Sequence, residues 1–337
     1  MKCNFSILIF VLTLTLNVFE SVVSVSLVDI ICGFDLFECC REPHLKKDYV
    51  KFELNLKNKL FGQTLVHKTL ISAIKSHYEL KNPSKALVLS FHGSTGVGKT
   101  YVSQILAESL YMKGTKSDFF KVFVATKDFP HNEKINEYKE RLKNEIEKTV
   151  QKCERSLFVF DETDKIPIGL LDTIKAYIDF NHDINRVDYR KSVFIFLSNS
   201  ATKQIAELAL DLDRKNIKRE KFELKAFQRV IQDTVFYNKE PDNKGLYHAA
   251  IIESHLIDSY IPFLPLEKIH VRKCVRTEII KFIYTDLYET DHLEEDIDDI
   301  VDQMSYDGKF SSSGCKRVSN LVRNLILDKQ YKLKNEF

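Results

Sequence analysis

The chain has 337 residues, 44% of them hydrophobic and 29% charged, a balance that excludes a disordered chain and allows one large or two ordinary domains. Its net charge of +2 excludes a polybasic nucleic-acid binder, whose affinity comes from many phosphate contacts. Ten glycines and seven prolines point to a helix-rich chain with few long loops.

The amino terminus is charged at Lys2 and then apolar from Phe5 to Phe19, with the small residues Ser24 and Ser26 at a plausible cleavage site. Residues 1–26 read as a secretory signal peptide, the alternative being an uncleaved anchor. Glu20 and Asp29 interrupt the apolar run and weigh against an unbroken spanning helix. The apolar stretch Leu27–Phe37 could still rest on a bilayer surface, a peripheral membrane association. Beyond the signal remain Cys32, Cys39, Cys40, Cys153, Cys274 and Cys315. In an oxidising lumen these permit disulfides, but the sequence leaves all fifteen pairings open. No C-x-x-C pair supports a zinc site.

Residues 27–58 form a cysteine-containing lead-in, its polar part Arg41–Asn58 a linker or a first helix. From Gln63 to Leu80, Leu65, Val66, Leu70, Ile71, Ile74 and Tyr78 recur at helical spacing, and Asn82–Pro83 ends that helix. Ala86–Phe91 reads as a buried strand. The loop that follows, Gly93–Ser94–Thr95–Gly96–Val97–Gly98–Lys99–Thr100, fits G-x-x-x-x-G-K-[ST]. Glycines allow successive backbone N–H groups to converge on phosphate oxygens, and the start of the helix Lys99–Tyr111 adds its positive end. Lys99 is placed to reach β- and γ-phosphates and Thr100 to bind Mg²⁺.

Asp118–Ala125 reads as a second strand and Glu133–Cys153 as a charged amphipathic helix. Ser156–Glu162 is a third strand, its last two residues the acids Asp161 and Glu162 at the carboxyl edge where α/β sheets bind ligands. Asp161 is the candidate second Mg²⁺ ligand, and Glu162 the group that polarises an attacking water. Ile168–Asp179 reads as a helix and Ser192–Asn199 as a fourth strand. That strand delivers Asn199 either beside the γ-phosphate or, alternatively, to a helix N-cap. The alternation predicts an α/β fold with a parallel sheet flanked by helices on both faces. Arg214 and Arg219 fall in a basic run, read as a solvated segment in preference to an arginine finger. Leu246–Ile257, Glu267–Ile283 and Val318–Leu327 read as helices, and the acidic run Glu289–Asp302 as a solvated helix face.

With these motifs in place the chain resembles the AAA+ ATPases, and more narrowly the Clp/HSP100-related torsins of the endoplasmic reticulum lumen and nuclear envelope. The resemblance rests on Leu60–Val66, on the strand and acids Ser156–Lys165, and on Phe194–Asn199. It rests also on Ile257–Glu267, on Cys39–Cys40, and on Gly314–Cys315–Lys316, similar to the torsin sensor II signature. It implies an AAA+ large nucleotide-binding domain over 59–266 and a small helical lid over 267–337. It implies a site for ATP and Mg²⁺ in which Gly93, Ser94, Thr95, Gly96, Val97, Gly98, Lys99, Thr100, Tyr101, Asp161 and Lys316 bind nucleotide. Glu162, Asn199 and Lys99 would carry catalysis.

The resemblance further implies a redox disulfide between Cys274 and Cys315, assembly as a homo- or hetero-oligomer, and chaperone-like remodelling of protein complexes or membranes. Hydrolysis would be weak alone and raised by a membrane-anchored activator whose lumenal domain supplies an arginine finger. An ATP-dependent binding switch with little hydrolysis is the alternative, whereas a metabolic kinase is disfavoured by Asp161–Glu162, Asn199 and the helical carboxyl part. Torsins usually place Asn after the loop lysine. Thr100 departs from that pattern and leaves open whether the chain hydrolyses ATP more readily by itself.

Overall fold

The computed structural model describes residues 32, 38–180, 184–237, 249–283 and 291–335. The signal-peptide reading, and the apolar stretch 27–37 apart from Cys32, lie outside the described residues.

Helix α1 (Tyr49–Lys59) starts at Asp48, whose carboxylate accepts the Lys51 N–H at 2.9 Å, and buries Phe52 and Leu56. It packs on α2 (Thr64–Glu79) and on α3 (Lys99–Leu110). The strands β1 (Leu87–His92), β2 (Phe120–Val124), β3 (Leu157–Asp161), β4 (Val193–Ser198) and β5 (Ser259–Pro262) form one five-stranded sheet in the order β2–β3–β4–β1–β5. All four pairings are parallel, with Leu87 opposite Val193 and Leu157 also opposite Val193. Between strands run α4 (Ile135–Lys152), α5 (Thr202–Arg214) and α6 (Leu224–Tyr237). The carboxyl part holds α7 (Lys268–Ile283), α8 (Leu293–Asp302), the short antiparallel ribbon β6 (Tyr306–Asp307) and β7 (Phe310–Ser311), and α9 (Val318–Asn335).

Alternation along the strands splits the core in two. Leu89, Phe91, Val159, Ile195 and Ile261 share one face with α1, α2 and α3, and that core runs on into Val271, Ile297 and Val322 of the carboxyl helices. Val88, Phe158, Phe160, Phe194 and Phe196 share the other with Leu142 and Ile146 of α4, Ile205 of α5, and Phe227 and Ile231 of α6. Because both faces are covered, the strands read as continuous apolar runs.

Three elements differ from the sequence expectations. The fifth strand, β5, sits where only a joining segment was expected. It lies at the sheet edge, and because Pro262 has no N–H, the Phe263 N–H donates to the His92 carbonyl at 2.7 Å. The stretch expected as a helix over Ile168–Asp179 is broken into a tight turn, Leu171–Ile174, and a single helical turn, Lys175–Ile178, after Gly169 adopts φ +81°. Of the helix expected over Leu246–Ile257, residues 246–248 lie outside the described residues and only the turn Ala250–Glu253 is helical. The acidic run is also not simply solvated. Glu294 accepts from Arg272 at 2.7 Å and from Arg276, Asp302 pairs with Lys268 at 2.7 Å, and the buried Asp296 pairs with Lys329 at 2.5 Å. Glu294 and Asp302 stay exposed, as a solvated face requires, and only Asp296, paired with Lys329 of α9, is withdrawn from water.

Candidate nucleotide site

The site forms at the carboxyl edge of the sheet, where β1, β3 and β4 end side by side. After His92 the backbone turns through Gly93 (φ +153°), Gly96 (φ +77°) and Gly98 (φ +106°), left-handed angles that only glycine adopts without strain. Gly98 is the N-cap of α3, so the helix begins with Lys99 and presents its positive end to the loop.

Lys99 is buried and curls back over the loop. Its Nζ donates to the carbonyls of Gly93 (2.6 Å) and Ser94 (2.9 Å) and to Oδ1 of Asn199 (3.0 Å). Burial pushes the ammonium down to about 8, with Asp161 and Asp164 opposing the shift, so at neutral pH it carries its charge. The Thr100 hydroxyl donates to Oδ2 of Asp161 at 2.8 Å, which brings both candidate Mg²⁺ ligands together across 61 residues of sequence. Ser94 is half-buried, and its hydroxyl is a buried oxygen with no protein partner.

Glu162 follows β3 in a left-handed conformation, φ +56°. It is not free: Oε2 accepts from the Thr126 hydroxyl at 2.6 Å and Oε1 from Lys165 at 2.9 Å. Partial burial works to raise its pKa, but these donors together outweigh it and hold the carboxyl below its ordinary value. Asn199 is not an N-cap. The cap of α5 is Ala201, without a side-chain bond, and the Asn199 side chain faces Lys99 instead.

The remaining nucleotide candidates lie around the loop. Thr95 is exposed, Val97 is buried, and Tyr101 points outward from the first turn of α3, 43% exposed. Cys274 of α7 and Cys315 form a disulfide. The Cys315 N–H donates to the Gly96 carbonyl at 2.9 Å, so the disulfide is one hydrogen bond away from the phosphate loop. A Cβ on Gly96 would lie 2.0 Å from the Ser313 carbonyl oxygen, and one on Gly314 would lie 2.4 Å from the Gly96 carbonyl oxygen. Two glycines therefore make the contact possible. The Lys316 amide sits against Gly96 while its side chain is exposed. The other cysteines, whose pairing the sequence left open, join as Cys32–Cys39 and Cys40–Cys153.

Arg219 corrects the sequence reading. It is no solvated cation: its guanidinium donates to the carbonyls of Gly62 (2.8 Å) and Pro265 (2.8 Å) and to Glu267 (3.2 Å), with 9% of the side chain exposed. Burial lowers its pKa, with Glu267 opposing. Each of its three nitrogens is engaged within the chain, which weighs against a finger for a neighbour, whereas Arg214 is exposed.

Three side chains that shape the site were not singled out from sequence. Gln63 is buried and bridges the loop to the chain after β5, its amide donating to Val97 (3.2 Å) and Leu264 (2.8 Å) carbonyls and accepting the Leu264 N–H at 2.8 Å. Thr126 holds Glu162. Asp164 accepts the Asn199 N–H at 2.9 Å, tying the end of β3 to the end of β4. Asp164 sits three residues after Asp161, a spacing that could have marked it. A cavity of about 1610 Å³ opens beside Ser94, Asn199 and Asp164 and runs along α5 toward Lys309.

The torsin family model matches residues 34–160. A torsin-like protein of Caenorhabditis elegans is 42% identical over 284 residues, which cover 84% of this chain and 79% of the relative. The chain belongs to the torsin family. Torsin-3A of Mus musculus is 35% identical over 88% of this chain and 76% of its own length. Among solved structures, Saccharomyces cerevisiae Hsp104 in an ADP complex matches with a TM-score of 0.57 at 17% identity, and Hsp104 with casein with 0.60 at 19%. Those matches cover 86% and 87% of this torsin and 49% of each Hsp104 chain, so it spans about half of their length. At that identity they show the fold, which is AAA+: a parallel sheet flanked by helices with a helical carboxyl part.

Proposed function

We propose that this torsin-family protein binds Mg-ATP at the Gly93–Thr100 loop and hydrolyses it to remodel protein complexes or membranes in the lumen of the endoplasmic reticulum and nuclear envelope. The observation that carries the reading is the convergence of Lys99, Thr100, Asp161 and Asn199 at one edge of the sheet. The residues fit the ligands. Lys99 holds three oxygens where phosphate oxygens would lie, and a threonine hydroxyl beside a carboxylate is an oxygen pair suited to Mg²⁺, which keeps several waters. Bound there, Mg²⁺ would neutralise charge on the phosphate oxygens. Lys99 would exchange carbonyl partners for phosphate. Asn199 would orient the attacking water, and Glu162 would take its proton.

Two features support a slow enzyme that needs a partner. Glu162 is held by Thr126 and Lys165, and Arg219 is engaged inside the chain. A membrane-anchored activator with a lumenal arginine would supply charge stabilisation worth several orders of magnitude. The Cys274–Cys315 disulfide would couple lumenal redox state to nucleotide affinity through the Cys315–Gly96 bond.

The test is ATP turnover with and without a candidate activator, beside Glu162→Gln. Stimulated turnover lost in the variant is expected. ATP-dependent complex formation with no turnover in either protein would replace the enzyme by a binding switch.

A further inference from the structure

On the sheet face covered by α4, α5 and α6, neighbouring strands stack their rings: Phe123 on Phe160 at 5.1 Å, and Phe160 on Phe196 at 5.2 Å. β1 breaks this ladder. It places Ser90 opposite Phe196 and His92 opposite Ser198, both fully buried. Polar groups in an apolar layer are costly unless bonded. Here each is bonded, and the bonds lead somewhere.

His92 Nε2 lies 2.7 Å from the Ser90 hydroxyl and Nδ1 lies 3.0 Å from the Ser200 hydroxyl. The Ser200 hydroxyl is 2.7 Å from that of Ser198, which donates to Asp164 at 3.4 Å. Asp164 in turn accepts the Asn199 N–H. The bonds therefore run from His92, the residue just before Gly93, whose carbonyl receives Lys99, to Asn199 and the two residues that flank it. The turn it grips contains Ala201 at φ +60°, a conformation that a non-glycine residue holds only when its surroundings impose it.

We propose that His92 is a positioning residue that clamps the Ser198–Ala201 turn to the base of the phosphate loop and thereby sets Asn199 against Lys99. Burial first, then the Lys99 charge, pushes the imidazole down to about 3, so the clamp is neutral throughout the physiological range. The proposal rests on the reading that the site holds ATP with Asn199 near its terminal phosphate, the one group that ADP lacks.

The test is the ratio of ADP to ATP dissociation constants, measured by calorimetry on full-length variants in a Glu162→Gln background that prevents turnover. An asparagine can reproduce the Nδ1 contact to Ser200, whereas a glutamine reaches only toward Nε2 and Ser90. His92→Asn is expected to keep the parent ratio. His92→Gln, His92→Phe and Ser200→Ala are expected to weaken ATP about tenfold and leave ADP unchanged, the contribution of roughly one hydrogen bond to a charged group. Ser200 sits on a half-buried turn, so its variant reports even where a His92 variant fails to fold. An unchanged ratio in Ser200→Ala and the folded His92 variants overturns the proposal, as does an equal loss in His92→Asn, which would mark His92 as packing alone. Failure of the hydrolysis reading appears separately, as a parent chain with intact Glu162 that shows no turnover.

Discussion

The candidate nucleotide site has two halves built in opposite ways. On one side Lys99, Thr100, Asp161, Glu162 and Asn199 stand at the ends of buried parallel strands or on the helix that follows β1. Each is fixed by a backbone whose residues pack on both faces of the sheet. On the other side Gly314, Cys315 and Lys316 form a turn held to the loop by one amide bond and one glycine-to-glycine approach, and to α7 by one disulfide. The first half is preorganised by the core, each reacting group set by the strand end or helix that carries it. The second rests on few bonds, and a region with few bonds is the kind that opens locally at low free energy.

The largest effect expected separates chemistry from binding in the rigid half. Glu162→Gln should reduce activator-stimulated turnover by about two to four orders of magnitude, the range for general-base catalysis. ATP affinity in a binding assay should stay within a fewfold. Next is Arg219→Ala, which leaves Glu267 and two carbonyls without their buried cation. Its cost should be about 3 kcal/mol, read as a lower denaturation midpoint. Stimulated turnover per folded molecule should not fall by the orders of magnitude that loss of a finger entails. If it does, Arg219 has a role its internal bonds do not explain.

The half held by fewer bonds predicts smaller losses. Gly96→Ala combines a left-handed φ with a clash against Ser313, and should cost about 1–3 kcal/mol, split between stability and nucleotide binding. Reducing Cys274–Cys315 should change ATP affinity severalfold at unchanged secondary structure, and equal affinities in oxidised and reduced protein would show that the Cys315–Gly96 bond carries no coupling.

The same division explains what was legible in the sequence. The phosphate loop, the Asp161–Glu162 pair and four strands are local signals: fixed spacing, or apolar runs bounded by turns. β5 was not legible, because Ser259–Pro262 is short, ends in proline and becomes a strand only by pairing with β1, far away in sequence. Arg219 looked solvated because its neighbours are basic. Its three acceptors lie 46, 48 and 157 residues away. Thr126 and Asp164 escaped for the same reason, since a hydroxyl after β2 or a carboxylate after β3 gains its role only when the strand order sets it beside Glu162 or Asn199. Within the acidic run Glu289–Asp302, Asp296 read as solvated with the rest because charge periodicity alone does not say whether water or another helix lies opposite.

The smallest effect expected falls on the one group in the rigid half that is held away from free reaction. Thr126→Val keeps the side-chain shape and removes the hydroxyl that donates to Glu162. Burial already pushes the carboxyl upward, and the Thr126 and Lys165 donors pull it down further than burial raises it. With one donor gone the pKa must rise, making Glu162 a stronger base that is also less tethered. Basal turnover without activator should therefore increase by about two- to fivefold, a typical yield for one hydrogen bond. The acid limb of the pH–rate profile should move to higher pH. The activator should then give a smaller stimulation, because part of what it releases has been released already. Unchanged basal turnover with a shifted acid limb would show that Thr126 tunes the carboxyl without restraining it.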